Sequence, residues 1–132
     1  MTILDDIVVR TNADLETVWR TVMGPYPPGL RSVWMLLLGD DGHLRPVAVP
    51  IDDMPAVPDP ALTAGLAANL DAVRELGDPV LLFSRPGSRH MTEADRRWGR
   101  VLSGMTRWAV YLYTPSGLHV FTPDDLVLPR GG

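Results

Sequence analysis

Residues 32–49 read SVWMLLLGDDGHLRPVAV, and this stretch decides the fold class. Val33 to Leu38 is an unbroken apolar run of strand length, which fits a strand covered on both faces. Asp40-Asp41-Gly42 then supplies a turn, and a second strand is expected around Leu44 to Ile51, so the segment reads as a hairpin.

Working outward from the hairpin, Leu15, Val18, Trp19 and Val22 recur at helical spacing. They predict a helix from about Asp14 to Met23, with Thr11 and Asn12 as candidate caps and Gly24-Pro25 as its end. Gly24 to Gly29 and Pro50 to Pro60 read as proline-rich connections. After the second of these, Asp59-Pro60 opens a helix with an apolar stripe at Leu62, Leu66, Leu70 and Val73 and with Gly77 as its expected cap. Val80 to Ser84 is short and continuously apolar, as a central strand would be. Arg85 to Met91 is expected to be a loop. Thr92-Glu93-Ala94-Asp95 opens a helix that carries Ala94, Trp98, Val101, Leu102 and Met105 on one side. Two strands, Trp108 to Tyr113 and Leu118 to Phe121, follow around Pro115-Ser116-Gly117, and Thr122-Pro123-Asp124-Asp125 leads into a short tail. The order α-β-β-α-β-α-β-β implies a mixed sheet with helices on its faces, an α/β class that stricter naming calls α+β.

Composition narrows the chemistry. A chain of 132 residues with 45% hydrophobic content suits one domain. With no cysteine present, disulfides, thiolate nucleophiles and cysteine-based zinc sites are excluded. Every basic residue is arginine, which removes Schiff-base lysines and the phosphate-binding lysine of a P-loop. The longest apolar run falls far short of the roughly 20 residues of a membrane span. Asp5 and Asp6 stand where a secretory signal would carry basic residues, so a cytoplasmic location is expected. A net charge of −4 argues against a surface devoted to nucleic acid.

From about Asn12 to Asp125 the order of elements resembles the RadC-like branch of the JAMM/MPN metalloprotease-like family, with its cytidine-deaminase-like architecture. The motifs that carry the resemblance are the hairpin quoted above, the passage PVLLFSRPG and the helix start TEADRRW. The resemblance implies two histidines one residue apart at the end of the central strand. A serine follows eight residues after the second of them, and an aspartate eleven after it. Counting back from Asp95 puts Thr92 at the serine, Ser84 at the second histidine and Leu82 at the first, so both imidazoles are missing. Leu30-Arg31-Ser32-Val33 stands where the catalytic glutamate would be, and that acid is missing too. Zinc needs several good donors and an open position for water, and a lone carboxylate cannot hold it. The resemblance therefore implies a degenerate, metal-free member with no cofactor. A shifted alignment would bring His90 toward the site, but from a loop.

Simpler explanations compete for several of these residues. Thr92 and Asp95 form a Thr-x-x-Asp capping box. Ser84, His90 and Asp95 would make a nucleophile, base and acid only if they converged, and no G-x-S-x-G elbow accompanies them. His43, His90 and His119 lie in turns or loops. Arg85, Arg89, Arg96, Arg97, Arg100 and Arg107 crowd one segment, where they could bind an anion or nucleic acid or form a solvated face. Trp19, Trp34, Trp98 and Trp108 are expected in the core, each with its indole N–H bonded to backbone. The leading expectation is a non-catalytic domain that binds a protein partner, self-association as a homodimer included, with no membrane role. An anion- or nucleic-acid-binding module using Arg85 to Arg107 comes next, and a hydrolase with a non-standard site last.

Overall fold

The computed structural model describes residues 7–24 and 28–127; Asp5, Asp6, Pro25 and the tail beyond Val127 lie outside them. Helix α1 spans Asn12–Met23 and is followed by β1 (Ser32–Leu38) and β2 (Leu44–Ile51). Then come α2 (Pro60–Val73), β3 (Asp78–Ser84), α3 (Glu93–Ser103), β4 (Tyr111–Thr114), β5 (Gly117–Val120) and the short α4 (Pro123–Leu126). The strands form one mixed sheet in the order β2-β1-β3-β4-β5. Strand β1 runs antiparallel to both β2 and β3. Strands β3 and β4 are parallel, because α3 carries the chain back across the sheet between them.

Strand alternation sorts the apolar residues into two cores, one on each face. Val33, Met35 and Leu37 of β1 join Leu81 and Phe83 of β3 against Leu66 and Leu70 of α2 and Trp98 and Leu102 of α3. On the opposite face Leu36, Leu38, Val80, Leu82, Tyr111 and Tyr113 pack with Leu15, Val18 and Trp19 of α1. Helices therefore cover both faces, as the continuous apolar runs of β1 and β3 require.

Several boundaries differ from the sequence reading. Thr11 alone caps α1: its hydroxyl accepts from the Asp14 N–H at 3.2 Å and the Asp14 carboxylate accepts from the Thr11 N–H at 3.2 Å, so the helix begins at Asn12. Helix α2 ends at Val73, before Gly77, and the chain leaves it through turns in which the Leu76 and Gly77 N–H groups bond to Val73 and Arg74 carbonyls. Strand β4 starts at Tyr111 rather than Trp108 because the Trp108 and Ala109 N–H groups go to the side chains of Thr106 and Asn12 instead of a neighbouring strand. Thr122-Pro123-Asp124-Asp125 closes into a helical turn with its own capping box.

Candidate functional site

Arg85 follows the last residue of β3 and is 5% exposed, and Asp95 in the first turn of α3 is 2% exposed. The Arg85 Nε donates to Asp95 Oδ1 at 2.7 Å and Nη2 donates to Oδ2 at 2.6 Å, a bidentate pair. The remaining donors hold the loop that follows β3: Nη1 bonds to the carbonyls of Pro86 and Ser88, and Nη2 to that of His90 at 2.9 Å. All five N–H groups of the guanidinium are thus engaged. Asp95 Oδ2 also accepts from the Thr92 N–H at 2.8 Å, and the Thr92 hydroxyl accepts from the Asp95 N–H at 3.1 Å, which is the expected capping box. Burial pushes the Asp95 carboxyl up, but the Arg85 hydrogen bonds and charge and the Thr92 donors outweigh it and hold its pKa below the ordinary value.

Neither the constellation that the resemblance implies nor a Ser84, His90 and Asp95 triad assembles. Leu82 and Ser84 sit on the α1 face of β3, whereas Leu81, Phe83 and Arg85 share the face that α3 and Asp95 occupy. Phe83 stacks on Trp98 at a centroid distance of 5.0 Å. Ser84 meets neither Asp95 nor His90; its hydroxyl accepts the Trp34 indole N–H at 3.2 Å. His90 contributes its carbonyl to the Arg85 cluster, and its side chain is exposed. His43 pairs with Asp41 at 2.9 Å and His119 with Ser116 at 2.8 Å. Among the described residues no three His, Asp or Glu side chains are grouped so as to hold a metal ion.

The arginine segment is likewise dispersed. Arg85 is buried and saturated, so it cannot belong to an anion surface. Arg100 and Arg96 lie 2.8 and 3.9 Å from Glu93, and Arg107 binds Asp78 at 2.6 Å while stacking on Trp108. Arg89 and Arg97 are exposed. The tryptophans also divide. Trp98 alone donates to backbone, at the Pro55 carbonyl, whereas the buried N–H groups of Trp19 and Trp108 have no acceptor among the described residues.

A second feature was not legible in advance. The α1 face of the sheet holds a pocket of about 410 Å³ at the ends of β1, β2, β3 and β4. Ser32 and Ser84, cross-strand partners and each 3% exposed, form part of its lining. The Ser32 hydroxyl donates to Asp52 Oδ1 at 2.6 Å. Val22, Met23, Leu30 and Pro50 supply apolar walls, and Tyr113, whose hydroxyl donates to the Gly24 carbonyl at 3.3 Å, joins Trp34 in the lining. The only advance signal was a serine at the end of each apolar run; their juxtaposition depends on strand register.

A comparison with known protein families finds no match, and a comparison with curated proteins finds none.

Proposed function

We propose that this chain is a non-catalytic domain of the RadC-like, JAMM/MPN kind that acts by binding a protein partner. The observation that supports the non-catalytic part of the reading is the saturation of Asp95. In the metalloprotease pattern an aspartate at this helix start would share a cation with paired imidazoles from the end of the central strand. On the side of Asp95, β3 carries Phe83 and is followed by Arg85, whereas Leu82 and Ser84, the positions that the resemblance gives to the imidazoles, face α1. Phenylalanine has no lone pair to offer, and the guanidinium is itself the cation against both carboxylate oxygens. The residues present do not fit a metal.

Hydrolysis without a metal finds no support in the geometry, because Ser84, His90 and Asp95 point to different surroundings. Binding by strand addition is also poorly served on the β2 edge, where Pro46 and Pro50 remove two N–H donors. The pocket beside Ser32 and Ser84 is the better place for a partner group. Trace-metal analysis of untagged protein tests the proposal: far less than one zinc per chain is expected, and stoichiometric zinc overturns it.

A further inference from the structure

We propose that the pocket lined by Ser32, Ser84 and Asp52 binds a primary alkylammonium group, specifically a lysine side chain presented by the partner. This rests on the binding reading above and names what is bound.

Charge carries the argument first. Among the described residues Asp52 is the only charged one in the lining, and its carboxylate is anchored by the buried Ser32 hydroxyl. That bond engages Oδ1, and Oδ2 has no partner among the described residues. Val22 and Met23 bring the C-terminal end of α1 to the same pocket, where the helix dipole favours a cation. Arg20, the basic residue of that last turn, lies 3.7 Å from Glu16 and is outside the lining. An anion would find no positive charge among the described residues of this lining.

Shape and polarity carry it further. Apolar walls from Val22, Met23, Leu30 and Pro50 suit a methylene stem that ends in a charged head. Trp34 and Tyr113 add aromatic carbon to the walls. The buried Ser84 hydroxyl accepts the Trp34 indole N–H and so keeps its own hydrogen, for which the described residues offer no acceptor. The site thus presents one carboxylate for the ammonium and one hydroxyl donor for a ligand oxygen, such as the amide carbonyl that accompanies a lysine side chain.

The test is an NMR titration of the ¹⁵N-labelled full chain at constant ionic strength, reading the Trp34 indole and the Ser32 and Ser84 amides. The probes are n-butylammonium, n-butyrate and a short lysine-containing peptide. Butylammonium and the peptide are expected to give saturable shifts at all three groups, and butyrate none. Asp52→Asn, which keeps an acceptor for Ser32, is expected to weaken binding by about tenfold, as loss of a charged hydrogen bond would, with Asp52→Glu restoring much of it. Equal shifts with butyrate, or no saturation with either amine, overturn the proposal. Binding of butylammonium but not of the peptide overturns the lysine assignment and makes a free amine the ligand. Stoichiometric zinc in the untagged protein would overturn the metal-free reading independently, whatever the titration shows.

Discussion

Arg85 and Asp95 form a closed ion pair, with both carboxylate oxygens held by one guanidinium at 2.7 and 2.6 Å and neither side chain more than 6% exposed. Removing two charges from water costs several kcal/mol each, so such a pair persists only with good geometry and with its remaining groups bonded. Both conditions are met, because the spare Arg85 donors close the 85–91 loop and Thr92 completes Asp95.

Breaking one side of the pair is therefore expected to be far worse than replacing both. Arg85→Ala should destabilise the fold by about 3–5 kcal/mol, by stranding a buried carboxylate and releasing three loop carbonyls. The double variant Arg85→Met with Asp95→Leu should recover a large part of that loss. Urea unfolding of the three proteins checks this, and equal effects of the single and double changes would contradict it.

Acid stability follows from the same pair. The folded Asp95 pKa is held below the unfolded value near 3.9. The unfolded chain thus binds the proton more readily. The contribution is fully present above the unfolded pKa and is lost as pH falls through the folded one. The expected measurement is a urea midpoint that drops below about pH 4 in the native protein. Relative to it, the Arg85→Met and Asp95→Leu double variant should show a shallower drop.

The α3 capping box gives a smaller effect. Thr92→Ala removes the hydroxyl that accepts from the Asp95 N–H, and a loss of about 1 kcal/mol is expected. Asp95 keeps its Thr92 N–H and Arg85 bonds, so the change should stay in that range. An unchanged melting curve would count against it.

Packing between α3 and the chain after β5 is tight at Gly99. A Cβ there would stand 2.7 Å from the Phe121 ring, and that ring is 4% exposed on a residue whose N–H is bonded to the Val110 carbonyl. Gly99→Ala is therefore expected to cost about 1–3 kcal/mol despite alanine's better helix propensity. Adding Phe121→Leu should relieve part of it, and a stabilised Gly99→Ala would show that the ring yields freely.

The elements were legible where local chemistry decides them. The apolar run Val33 to Leu38, the Asp-Asp-Gly turn and the caps Asp59 and Thr92 each act within a few residues, and the hairpin, α2 and the start of α3 appear where they point. The site was less legible because it depends on faces. The family resemblance implies that Leu82 and Ser84 stand with Asp95, but strand alternation turns both toward α1 and leaves Phe83 and Arg85 toward α3. An arginine in Ser-Arg-Pro-Gly reads as solvated, and only the wrapping of the 85–91 loop reveals five donors bonded to protein. The pairing of Ser32 with Ser84 likewise depends on the β1 to β3 register.

The most direct test is anomalous scattering at the zinc edge from crystals soaked in zinc at neutral pH. The expected map has no ion within bonding distance of Asp95 and keeps Arg85 across both of its oxygens. A zinc ion seated on that carboxylate, with the guanidinium swung away, would contradict the account.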